Sequence, residues 1–124
     1  MLIQSSQAKV YVAAKPTDMR KSFFGLLLSV QEYIDPKEIY EAIFLFFNRK
    51  KDRIKILHYD SNGFAFWYKL LDSGTYQLPT NKTEPHYAIS LDDLNKILTE
   101  IKVSKRNNSG KIKPSFQDES PLLV

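Results

Sequence analysis

The side chains whose types could do chemistry lie between Asp18 and His86. His58, Asp60 and Ser61 supply the residue types of a nucleophilic triad. Their spacing defeats it, because neighbouring side chains of a strand point to opposite faces and cannot converge as nucleophile, base and orienter. Asp18, Asp52 and Asp60 are the carboxylates that magnesium chemistry would need, each at the end of an expected element. A two-metal centre requires them within a few ångströms of one another. Asp52 and Asp60 stand at opposite ends of one expected strand, about 25 Å apart at a rise of roughly 3.3 Å per residue. Turn and capping roles account for all three. His58 and His86 are the only histidines and show no ligand spacing, and the chain has no cysteine. Zinc–thiolate sites, disulfides and thiol nucleophiles are excluded, and four scattered glycines make no phosphate loop. No cofactor is expected.

Charge is the more informative feature. Arg49-Lys50-Lys51-Asp52-Arg53, followed by Lys55, is a basic cluster at a turn entering a strand. Tyr59, Trp67 and Lys69 come near it if that strand pairs with the next as a hairpin. Cations beside aromatic rings suit nucleic acid, the cations on phosphates and the rings on bases. The bland alternative is a solvated turn, since sheet edges carry lysine to discourage aggregation. A net charge of +4 permits an anionic partner without requiring one.

These residues need a scaffold, and 124 residues are enough for one core. Lys9–Ala14 reads as a short strand ended by Lys15-Pro16. A helix is expected next, capped by Thr17 or Asp18 and stopped at Asp35-Pro36. Met19, Phe23, Leu26, Leu27, Val30 and Ile34 form its apolar face, which Phe24 and Leu28 widen. Gly25 within it is read as a mark of close packing. Arg20 and Lys21 then fall in the first turn, against the preference of the helix dipole. They are either solvated there or, with the exposed amides, attract a phosphate or a carboxylate.

Ala42–Asn48 is a continuous apolar run suited to the centre of a sheet, and Arg53–Tyr59 alternates. Asp60-Ser61-Asn62-Gly63 is a strong turn. Gly63–Leu71 and Thr75–Leu78 supply two further strands, and Pro79–Tyr87 is expected as loop. Ser90 opens a second helix with Leu91, Leu94, Ile97, Leu98 and Ile101 on one face. The reading is an α+β domain over residues 1–103: an antiparallel meander of about four strands with two helices packed on it. Residues 104–124, with Lys105, Arg106, Lys111 and Lys113, are expected as a flexible basic tail. No leader or membrane-spanning run is seen, so a soluble cytoplasmic protein is expected.

Thr17-Asp18-Met19-Arg20-Lys21, with Phe23 and Gly25-Leu26, resembles the TDMRKGFDGL signature of the TnpB-type, second-frame accessory protein of the bacterial insertion sequence 66 family. The likeness continues through Phe44-Leu45-Phe46, Arg49-Lys50, Asp52–Leu57, Tyr59-Asp60, Asn62-Gly63, Trp67–Leu71, Gly74 and Leu78-Pro79. The chain departs from the pattern at Ser22 and Phe24, in place of Gly and Asp, and at Phe47-Asn48, in place of Arg-Gly. His58 stands for the first of two tryptophans and Ser61 for a glycine.

The resemblance implies a non-enzymatic role in transposition beside a larger transposase, which is the expected partner together with DNA. Arg20, Lys21, Arg49, Lys50, Lys51, Arg53, Lys55 and Lys69 are the candidate contacts, with Tyr59 and Trp67 stacking or supporting the sheet. Thr17, Asp18, Met19, Asp52, Asp60 and Gly63 are the candidate structural residues. A protein-interaction module using the aromatic sheet face is the alternative, and a metal-dependent nuclease subunit the remote one. The Arg20-Lys21 turn and the Arg49–Arg53 hairpin are expected on one side of the domain.

Overall fold

A computed structural model describes residues 8–79 and 83–103. The elements in chain order are β1 (Lys9–Ala13), α1 (Phe23–Gln31), β2 (Ala42–Phe47), β3 (Arg53–Asp60), β4 (Gly63–Leu70), β5 (Thr75–Tyr76), β6 (His86–Ile89), α2 (Leu91–Thr99) and β7 (Ile101–Lys102). The fold is α+β, with one sheet in the order β4-β3-β2-β1-β6 and a separate ribbon of β5 and β7. The expected basic tail lies outside the described residues.

Every residue of β2 is buried, because apolar layers cover both faces of the sheet there. On one face Leu26 and Val30 of α1 meet Phe44, Phe46 and Leu57. On the other, Leu94 and Ile97 of α2 meet Val10, Val12, Leu45, Ile54 and Ile56. A strand covered on both sides has no polar face, which is why Ala42–Phe47 reads as an unbroken apolar run. Fully burying a side chain such as Leu26 or Leu94 contributes about 1.5–3 kcal/mol.

The meander accounts for β2, β3 and β4, which pair antiparallel in succession. Three elements differ from expectation. First, β1 runs parallel to β2, with α1 in the connection between them; parallel neighbours require such a crossover. Second, the expected loop ending at Tyr87 contains the start of β6, which pairs antiparallel with the free side of β1. At four residues behind Pro85 its alternation is too short to stand out; Tyr87 points inward and donates its hydroxyl to the Pro79 carbonyl at 2.7 Å. Third, β5 leaves the sheet and pairs with β7. Gly74 makes this possible with a φ of +91°, and a Cβ there would lie 2.7 Å from the Lys102 carbonyl oxygen.

Helix α1 is shorter than expected. Its N-cap is Ser22, whose oxygen accepts from the Gly25 amide at 3.3 Å, and it ends at Gln31. Its buried stripe is Leu26 and Val30. Phe24 and Leu28, expected to widen that stripe, are 71% and 62% exposed. A Cβ on Gly25 would touch only side-chain atoms of Lys21 and Ser22 at 3.8–3.9 Å, so close packing is not the reason for that glycine. Helix α2 begins as its sequence indicates, with Ser90 and Asp93 closing a reciprocal capping box.

Candidate nucleic-acid and partner interface

The β2–β3 hairpin is organised by Asn48. Its Oδ1 accepts from the amides of Asp52 and Arg53 at 3.1 and 3.0 Å, and its Nδ2 donates to Asp52 Oδ1 at 2.6 Å. Lys51 takes a left-handed φ of 60° to complete the turn. Two further bonds pin the loop from outside: the Tyr76 amide donates to the Lys51 carbonyl at 2.7 Å, and the Leu71 amide to that of Asp52 at 2.8 Å. The tip is thus a fixed backbone carrying Arg49, Lys50 and Lys51 into solvent. The Asp52 carboxylate is committed to Asn48, a structural use.

Residues 17–21 form a second fixed loop rather than the first turn of α1. The Thr17 amide donates to the Phe47 carbonyl at 2.7 Å, hooking the loop to the end of β2. Asp18 closes it: Oδ1 accepts from the Arg20 amide at 2.9 Å, and the two carboxylate oxygens take Arg20 Nε and Nη2 at 3.0 and 2.7 Å. Those hydrogen bonds from Arg20 hold the Asp18 carboxyl at about 2, well below the usual carboxylate value. Because α1 starts at Phe23 behind its Ser22 cap, Arg20 and Lys21 precede the helix, and the expected conflict with its dipole does not arise.

Lys55 ties the 17–21 loop to β3, the strand that leaves the hairpin tip. Its ammonium donates to the carbonyls of Met19 at 2.7 Å and Lys21 at 3.1 Å. It also lies 4.7 Å from the Tyr68 ring centroid and 5.2 Å from that of Phe66. Only 5% of the residue is exposed, and burial lowers its pKa. The expectation that Lys55 contacts phosphate from the surface is therefore corrected. Its charge is consumed inside, where carbonyl dipoles and ring faces compensate lost hydration.

The remaining candidates divide. Met19, Asn48, Arg49, Lys50, Asp52 and Arg53 line one hollow of about 320 Å³, so the Asp18–Lys21 loop and the hairpin tip meet at one end of the sheet. A larger hollow of about 700 Å³, bordered by Lys15, Thr17, Asp18, Lys21, Tyr33 and His86, opens on the other side of that loop. Burial lowers the His86 pKa there. Tyr59 lies away from the cations, edge-on to Tyr40 and Phe64 at 5.0 and 5.2 Å. Trp67 sits opposite Ile56 and packs on the α2-side core, and Lys69 sits opposite Ile54 on that same face. Neither shares a face with Arg53. Asp60 and Gly63 pair across the two-residue β3–β4 turn, where Ser61 takes the left-handed φ of 56°.

The rings that do accompany the cations are Tyr68 and Phe66. The Arg53 guanidinium donates to the Tyr68 hydroxyl at 3.4 Å. Pairing arithmetic carries this signal: a two-residue turn that sets Asp60 opposite Gly63 also sets Lys55 opposite Tyr68 and Leu57 opposite Phe66. Among the described residues no group of three or more His, Asp or Glu is placed to hold a metal ion.

A mixed-sheet α+β domain with two basic loops locked together at one end is the class of structure in hand. The chain belongs to the IS66 Orf2-like protein family, whose pattern matches residues 8–108. It is 31% identical over 80 residues to the uncharacterized protein y4hO of Sinorhizobium fredii (strain NBRC 101917 / NGR234), covering 64% of this chain and 70% of that one. It is 28% identical over 82 residues to the uncharacterized protein y4jC of the same strain, covering 66% and 70%. No solved structure matches it. Membership associates the chain with transposition of an insertion sequence, in an accessory family that is not a known enzyme class. Among the described residues no helix is long and apolar enough to cross a membrane.

Proposed function

We propose that the protein is a non-enzymatic accessory of transposition that binds DNA through its basic end, in the cytoplasm and beside the transposase of the same element. Arg20, Lys21, Arg49, Lys50, Lys51 and Arg53 are the contacts, and Lys55 positions them. The observation that carries this reading is the tie of the 17–21 loop to β3 by the Lys55 ammonium, which leaves that loop beside the hairpin tip. Cations on fixed backbones lose little entropy when they meet a phosphate. Binding by six such contacts predicts a steep linear fall of log K with log salt, with a slope of about −5 on duplex DNA. The test is affinity measured across a salt series for the wild type and for Arg49→Glu with Lys50→Glu. A shallow slope, or equal affinity of the charge-reversed variant, removes DNA from the reading.

Binding to the transposase is a second reading, favoured by the exposed Phe24 and Leu28 of α1. It predicts co-purification with the transposase that survives the charge reversals and is lost on Phe24→Ser with Leu28→Ser.

A further inference from the structure

The α1 side of the sheet ends in a run of rings. Phe66 and Tyr68 alternate along β4, and β4 is the last strand of the sheet, so no strand lies beyond them among the described residues. Phe23 continues the run, edge-on to Phe66 at 6.1 Å and to Phe24 at 5.2 Å. Phe24, Tyr68 and Phe66 are exposed at 71%, 45% and 37%. The Tyr68 end of this run meets the basic end: Lys55 supports the Phe66 and Tyr68 rings, and Arg53 reaches the Tyr68 hydroxyl. The Lys55 ammonium also holds the carbonyls of the loop that carries Arg20 and Lys21. Strand β4 itself carries no acidic residue.

This combination selects its occupant by chemistry. Duplex DNA hides base faces in its stack and offers only phosphates and groove edges to a sheet. Unstacked bases expose π-faces, which settle on aromatic side chains while neighbouring cations follow the backbone. A second copy or an apolar protein would use the rings and make no use of the positive charge that Arg20, Lys21 and Arg53 bring beside them. We propose that this face binds single-stranded DNA, with bases on Tyr68, Phe66 and Phe24 and phosphates on Arg53, Arg20 and Lys21. The proposal rests on the DNA-binding reading above and names the form of DNA. It replaces Trp67 and Tyr59, the rings expected from sequence, with a set that shares a face with the cations.

The experiment compares a labelled oligothymidine with a duplex of equal length by fluorescence anisotropy, using the full chain and checking each variant's fold by circular dichroism. Tyr68→Ala and Phe24→Ala are expected to weaken oligothymidine binding by about 5- to 100-fold each and to leave duplex binding within about two-fold. Tyr68→Phe, which keeps the ring, is expected to retain wild-type affinity. Phe24 is so exposed that its loss tests the surface without disturbing the core. Equal affinity for both DNA forms, unchanged by either alanine, overturns the single-strand proposal and leaves the basic-end reading standing. Absence of any salt-sensitive DNA binding overturns both. A dimer in sedimentation that dissociates on Tyr68→Ala, with oligothymidine binding unchanged, assigns the face to a second copy and also overturns the proposal.

Discussion

The Lys55 ammonium, rooted in β3, donates to the Met19 carbonyl 2.7 Å away. Through this bond a residue of the hairpin fixes the backbone of a loop far from it in sequence, and two basic segments become one surface.

That bond separates stability from binding. Lys55→Met keeps the side-chain length and leaves the Met19 and Lys21 carbonyls without their donor. The expected cost is about 1–3 kcal/mol, read as a lower urea midpoint, with faster proteolysis at residues 19–21. Arg49→Ala, at the exposed tip, is expected to change stability by no more than about 0.5 kcal/mol. Equal midpoints for Lys55→Met and the wild type would show that the ammonium does not hold the loop.

Asp18 sets the acid limit of the same loop. Its carboxyl is held at about 2 in the folded chain, against an ordinary model value of 3.8. A depressed carboxylate favours the fold above its unfolded pKa and loses that contribution as pH falls from about 4 towards about 2. A carboxyl titration by NMR should place Asp18 well below the ordinary model value of 3.8 in the wild type. In Arg20→Ala it should return towards the ordinary value. A normal Asp18 titration in the wild type would contradict the bidentate pairing.

Tyr76 gives the opposite limit. Its hydroxyl is buried with no hydrogen-bond partner among the described residues, and burial pushes its pKa up to about 12. A neutral phenol is therefore favoured in the fold. The contribution is complete below the unfolded value near 10 and is lost as pH rises from about 10 to about 12. Tyr76→Phe removes an unsatisfied polar atom and should raise stability by about 1–3 kcal/mol at neutral pH. It should also flatten the alkaline fall. A destabilised variant would reveal a partner for the hydroxyl.

Two left-handed positions make a matched pair. Ser61 bears a Cβ at a φ of 56°, where the related pattern has glycine, so Ser61→Gly should raise the thermal midpoint, a gain of about 0.5–1 kcal/mol. Gly74 is at φ +91° with the Lys102 carbonyl 2.7 Å from where a Cβ would stand. Gly74→Ala should cost at least about 1–2 kcal/mol and speed amide exchange in β5 and β7. The idea fails if the two substitutions shift stability in the same direction.

The meander and the start of α2 are legible in the sequence because their signals are local. Alternation in Arg53–Tyr59, the Asp60–Gly63 turn and the Ser90–Asp93 box each sit within a few residues. The parallel pairing of β1, by contrast, is decided by where α1 packs, which no short window contains. The N-terminus of α1 is not fixed by sequence, because Asp18 is an equally good turn former and helix cap. Its side chain closes a turn on Arg20, and Ser22 takes the cap. The basic residues could be named from sequence. The role of Lys55 could not, since an alternating lysine reads the same whether its ammonium meets water or two carbonyls.

The interior place of β1 carries a consequence for biosynthesis. β2, β3 and β4 join through short turns, so they zip together from sequence neighbours as the ribosome releases them. β1 emerges before the other described strands of its sheet yet acquires its second flank only when His86–Ile89 arrives, after β2, β3 and β4. Until then Val10 and Val12, both fully shielded in the finished molecule, border an open ladder. A nascent chain stalled before β6 is thus the species most prone to pair with its neighbours, and chaperone demand should peak at that point of translation.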